Sequence, residues 1–187
     1  MTSRLLVDKI ESKSGSQIDM STHTLKMPSG HIVQVVQNTP TTTSHVTVTS
    51  TSMVEVSTTM RTTITPKFAS SLLRLNFHCI TGGRNTSYIM NYKFFDITNS
   101  SNVGFSSLGT GSSRTFVNAS LRTTDYDGND RHTLSMTAYQ SASSTSARTY
   151  GIYSMIESSS MDFNMTTTDN AGCSYSPPVF TIEEIAQ

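Results

Sequence analysis

Apolar residues return at every second position along much of this chain, with serine, threonine and charged residues between them. Successive side chains of an extended strand point to opposite faces, so this alternation marks a sheet with one buried face. In SSLLRLNFHCI, Leu73, Leu75, Phe77 and Cys79 alternate with Arg74, Asn76 and His78. In RHTLSMTAY, His132, Leu134, Met136 and Ala138 alternate with Thr133, Ser135 and Thr137. The tract from 30 to 56 has the composition of a disordered Ser/Thr linker, yet Thr47 separates Val46 from Val48 and Glu55 separates Val54 from Val56. Each valine pair is therefore expected to share one face of a strand.

Further strands are predicted over 88–97, 114–122, 149–156 and 179–185, all rich in β-branched or aromatic residues. Turn chemistry separates them at Gly82-Gly83, 99–102, 109–113, 125–130, 141–146, 169–172 and Pro177-Pro178. No segment carries a sustained helical period. Strands at regular spacing with turns between them predict an all-β fold, an antiparallel β-sandwich or jelly roll over residues 32–187. Residues 1–31 differ, because their apolar positions are short groups interrupted by SKSGSQ and cannot form a core alone. They form a short extended N-terminal segment whose Leu5, Leu6, Val7, Ile10, Ile18, Met20, Leu25 and Met27 need a surface to cover them. That surface is either the chain's own sandwich or, as we favour, other subunits or a larger particle, which makes the segment an anchor.

Composition changes this picture little. About a third of the 187 residues are Ser or Thr, but the five prolines are too few for a mucin-like stalk, and threonine suits a pleated surface. Thirteen basic residues balance thirteen acidic ones, so the field that gathers phosphate backbones is absent and nucleic acid is not an expected partner. No apolar run approaches the roughly 20 residues of a membrane-crossing helix, so no membrane insertion is expected. The N-terminus lacks the apolar core of a signal peptide, which points to synthesis in the cytosol. Cys79 and Cys173 have no CxxC or CxxH neighbour; a disulfide between them is one reading, and free buried thiols are the one expected of a cytosolic product.

Candidate chemistry is sparse. The five histidines show neither HxH nor HExxH spacing, and no serine lies in GxSxG. The turn DYDGND offers Asp125, Asp127 and Asp130 as weak calcium ligands, but Met136 stands where an EF-hand loop places its bidentate Glu. A glycosidase would need two suitably separated carboxylates, and Glu55, Glu157, Asp162, Glu183 and Glu184 nominate no pair. The sequons at Asn85, Asn99, Asn118 and Asn164 are the number such a Ser/Thr content produces by chance. No catalytic residue, cofactor or receptor-binding residue is assigned; the loops 99–113, 141–147 and 164–176 are candidate contact regions.

LLVDKIESKSG, MPSGHIVQVVQ, TSTSMVEV, TTITPKFASSLLRLNF and the terminal FTIEEIAQ together resemble small virion structural proteins of tailed phages that infect marine and freshwater bacteria such as cyanobacteria. The resemblance implies a non-enzymatic, particle-bound homotrimer in which a short anchoring segment precedes a jelly-roll-like sandwich. The implied partners are its own copies, other virion proteins held through the N-terminal segment, and a host-surface glycan or protein. The implied location is the virion surface. A fibre-like attachment appendage is the first expectation, a capsid decoration or cement protein the second, and a small carbohydrate-active enzyme a remote third.

Overall fold

The thirteen-residue strand β5 (Leu72–Arg84) is the spine of the molecule. In the computed structural model, which describes residues 28–40, 46–84, 89–104, 117–122, 131–157, 160–163 and 177–187, every strand pair is antiparallel. β9 (Arg131–Ser141) pairs along one side of β5. The other side carries β12 (Val179–Ile185) and then β11 (Ser160–Phe163), end to end. β1 (Ile32–Asn38) extends this first sheet beyond β12, and β2 (Val46–Val48) extends it beyond β11.

The second sheet is built on β10 (Arg148–Ile156) and β6 (Ile89–Asp96). β3 (Val54–Glu55) and β4 (Thr62–Ile64) lie end to end on the far side of β10. β7 (Ser101–Asn102) and β8 (Ala119–Arg122) do the same beyond β6. A single 3₁₀ turn, Thr58–Met60, is the helical element among the described residues, and the Ser57 side chain caps it by accepting from the Thr59 amide.

The alternation read from the sequence is the alternation of burial. Leu73, Leu75, Phe77 and Cys79 on β5, with Leu134, Met136 and Ala138 on β9, face inward. They meet Met90, Tyr92 and Phe94 of β6 and Ile152 and Ile156 of β10. Aromatic rings bridge the two sheets: Phe94 stacks on Phe180 at 5.5 Å between centroids, and Tyr92 meets Phe163 edge-on at 5.5 Å. Each fully buried side chain of this size contributes about 1.5–3 kcal/mol over its exposed state, so this interior holds the sheets face to face.

Three local expectations are corrected. Gly82-Gly83 is not a turn but the far part of β5, where Gly82 pairs with both Arg131 and Asp162 and Gly83 with Met161. Gly82 is paired on both edges, which holds this stretch extended. Val54 and Val56 do not share a face: β3 is two residues long, and the chain bends at Val56, burying it while Val54 stays 37% exposed. The span 99–102 is turn only at its start, since Ser101 and Asn102 pair with Asp96 and Phe95. The strand β11 carries no mark in the sequence pattern, because MDF buries three consecutive side chains and shows no alternation.

Candidate functional site

The strand β6 alternates between a buried face and a half-buried face of mixed polarity. Met90, Tyr92, Phe94 and Asp96 point inward, and Ile89, Asn91, Lys93 and Phe95 form the half-buried outer side. Direct cross-strand neighbours extend that outer side into a platform. Tyr153 lies opposite Lys93 on one flank and opposite Glu55 on the other, while Gly151 lies opposite Phe95. The Phe95 and Tyr153 rings are 4.6 Å apart at 42°, and Lys93 Nζ sits 5.3 Å over the Phe95 ring. Gly151 leaves room here: a Cβ would come within 2.9 Å of Ile97 Cδ1 and 3.1 Å of Glu55 Oε1, so those side-chain ends would have to shift. Its missing side chain lets both groups lie across the sheet.

Charged groups frame the rings. Glu55 accepts from Arg61 Nε at 2.7 Å and Nη2 at 2.8 Å, and Lys93 Nζ donates to Asn102 Oδ1 at 2.8 Å. Partial burial lowers the pKa of Lys93 below its usual value. Burial, then the Glu55 carboxylate, raises that of Tyr153 against the opposing effect of Arg61. An aromatic centre with a charged, hydrogen-bonded rim has the anatomy of a contact surface. The outer face of the first sheet is different: Arg74 pairs with Glu183, Thr137 donates to Asn76 at 2.9 Å, and His78 is exposed.

The carboxylates considered for glycoside chemistry are largely committed elsewhere. Glu55 is clamped by Arg61 and Glu183 by Arg74. The Asp162 carboxylate, buried on β11, accepts from Thr47 at 2.5 Å. Glu184 is fully buried and accepts from the Lys67 and Phe68 amides, Ser71 Oγ and Gln34 Nε2 at 2.6–2.9 Å. Burial opposes its ionisation, and those four donors outweigh the burial and hold its pKa below 4.5.

The calcium candidates Asp125, Asp127 and Asp130 and the anchoring candidates Leu5, Leu6, Val7, Ile10, Ile18, Met20, Leu25 and Met27 lie outside the described residues. So do Cys173, the loop 164–176, and 105–113 of the loop 99–113. Cys79 is a buried free thiol. No cluster of three or more His, Cys, Asp or Glu able to hold a metal ion occurs among the described residues, and no helix among them is long and apolar enough to cross a membrane. The platform around Phe95 and Tyr153 is not marked by alternation, and its one local signal is that IMNYKFF sets Ile89 and Phe95 at outer positions beside Asn91 and Lys93.

No model of a known protein family matches the sequence, and no curated protein matches it. Among solved structures, the fold is similar to a chain in the structure of infectious bursal disease virus, Gt strain, with a TM-score of 0.44 and 8% identity. The similarity covers 92% of this chain and 42% of that one, so the present chain spans less than half the length of its structural neighbour.

Proposed function

We propose that this chain is a non-enzymatic structural protein of a tailed-phage virion, a homotrimeric surface appendage fastened by residues 1–31 and projecting its sandwich toward the host. The observation that carries this proposal is the platform on the outer face of the second sheet, where Phe95 and Tyr153 stand partly open to solvent inside a rim of Lys93, Glu55, Arg61 and Asn102. Aromatic side chains with few rotatable bonds give large contact area at low entropic cost, and threefold presentation multiplies weak contacts through effective concentration. The resemblance of the N-terminal and C-terminal motifs to phage virion proteins supplies the setting.

A capsid decoration or cement role is the second reading. It is favoured by β1, an outer strand on which Ile32 is 47% and Val35 54% exposed, as a strand that buries its edge against a neighbour would present them.

Gold-labelled antibody against the chain, applied to intact particles, tests the proposal. Label at the tail supports the attachment appendage, and label over the whole head overturns it in favour of the decoration role. Particles carrying Tyr153→Ala with Phe95→Ala are expected to assemble normally and adsorb at least tenfold more slowly; unchanged adsorption removes the platform from the attachment role.

A further inference from the structure

One end of the sandwich interior is polar. On the first sheet, Glu184, Leu73 and Gln140 form one cross-strand row. On the second sheet, Asp96, Tyr150 and Thr62 form another. Arg148, two residues before Tyr150 on the same strand face, joins the sheets. Its Nη1 donates to the carbonyls of Ser141 and Ala142 at 2.9 and 2.7 Å, and its Nη2 to Asp96 Oδ2 at 2.7 Å. Asp96 also accepts from the Asn99 amide at 3.0 Å, Asn99 Nδ2 at 2.9 Å and Gln140 Nε2 at 3.4 Å.

Within this cluster four buried polar atoms have no partner in the protein, Arg148 Nε, Gln140 Oε1, Tyr150 Oη and Thr62 Oγ1, and the first three belong to residues that touch the Arg148–Asp96 pair. Arg148 Nε and Gln140 Oε1 are each two bonds from an atom bonded to the same oxygen, Asp96 Oδ2. The Arg148 guanidinium carbon is 5.9 Å from the centre of the Tyr150 ring. Tyr150 is completely buried and Arg148 is 7% exposed. Buried polar groups in folded proteins are almost always hydrogen-bonded, so three orphans around one ion pair point to a shared ligand.

We propose that this end of the sandwich is a built site for one internal water molecule, which accepts from Arg148 Nε–H, donates to Gln140 Oε1 and bonds to Tyr150 Oη. The chemistry selects water over an ion. The orphans surround the Arg148–Asp96 pair, which carries no net charge, and the Glu184 carboxylate at the same end is directed to four donors of its own, so neither an anion nor a cation is drawn to them. These three orphans comprise a donor, an acceptor and a hydroxyl that can be either, and a ligand serving all three must both donate and accept. Three partners is also the usual complement of a buried water. This inference stands independently of the virion role.

The test is a crystal structure of the full chain at a resolution that shows ordered solvent. The expected result is a density peak of water size within hydrogen-bonding distance of Arg148 Nε, Gln140 Oε1 and Tyr150 Oη. Direct bonding of Gln140 Oε1 or Tyr150 Oη to Arg148 Nε with no peak between them overturns the proposal, as does replacement of the peak by bromide on soaking. If crystals fail, the Arg148 Nε–H resonance of ¹⁵N-labelled protein, assigned by its loss in Arg148→Lys, is expected to show a rotating-frame Overhauser contact to long-lived water. That contact is expected to persist in Tyr150→Phe, which removes the exchanging hydroxyl; its absence overturns the proposal.

Discussion

Removing the Glu184 carboxylate is the sharpest perturbation of the fold. Four donors converge on it: Gln34 Nε2 from β1, the amides of Lys67 and Phe68, and Ser71 Oγ. One side chain on β12 thus holds the edge strand and the loop leading into β5. A hydrogen bond to a charged group contributes about 1.5–3 kcal/mol, so four bonds set an upper bound of roughly 6–12 kcal/mol. The loop can rehydrate once released, and Gln34 keeps its second bond to the Thr65 carbonyl, which reduces the expected loss in Glu184→Ala to about 4 kcal/mol. With an m-value of about 2 kcal/mol/M, the urea midpoint falls by about 2 M at fixed protein concentration. The pH dependence has a definite sign. Because the folded pKa is held below 4.5, the ionised carboxylate stabilises the fold fully above that value, and the contribution disappears as pH falls through the depressed pKa. Glu184→Gln, which cannot titrate, is expected to be less stable at neutral pH and to lose less stability than the unaltered chain as pH falls below the ordinary glutamate range. A Glu184→Ala protein within about 1 kcal/mol of the parent, or an unchanged acid limb in Glu184→Gln, would refute this reasoning.

Asp96→Ala leaves the Arg148 guanidinium buried without its counter-charge and is expected to cost about 3–5 kcal/mol, whereas Asp96→Leu with Arg148→Met is expected to recover most of that loss; a double-mutant cycle by denaturant titration measures the coupling. Burial pushes the Cys79 thiol well above its ordinary pKa, so it is expected to ignore an aromatic disulfide reagent at pH 8 in the native state and to react at once in denaturant; rapid native labelling contradicts its placement. Ser100 holds a left-handed φ of 51°, and Ser100→Gly is expected to raise stability by about 0.5–1 kcal/mol, read as a higher thermal midpoint.

How much of this was visible in the residues depends on whether one face of a strand meets water. Where it does, as in β5 and β9, strict alternation identified both the strand and its buried side, because polar residues report the exposed face as clearly as apolar ones report the core. β12 was found with its correct limits from its β-branched and aromatic content rather than from alternation. Strand ends and short edge strands were poorly legible. Val54-Glu55-Val56 has a strand pattern, but pairing stops after two residues, and only the position of the capped turn at Ser57 decides which valine turns inward. Gly82-Gly83 carries ordinary turn chemistry, and its place inside a strand depends on partners about 50 and 80 residues away, which local propensity cannot register.

The candidate surface and the polar end were illegible for a different reason: both are defined across strands. Glu183 and Glu184 are identical in composition and adjacent in sequence, yet the two-residue period sends one outward to Arg74 and the other inward to backbone amides. Nothing local distinguishes their roles, because the donors to Glu184 come from residues more than a hundred positions away. The same holds for Asp96, which breaks the apolar series Met90, Tyr92, Phe94 at the position where Arg148 and Gln140 arrive from other strands. A charged residue at an inward position of an otherwise apolar strand face is therefore the one local mark of such a cluster. Because an unpaired charge there costs several kcal/mol, the mark implies a partner before the partner can be named.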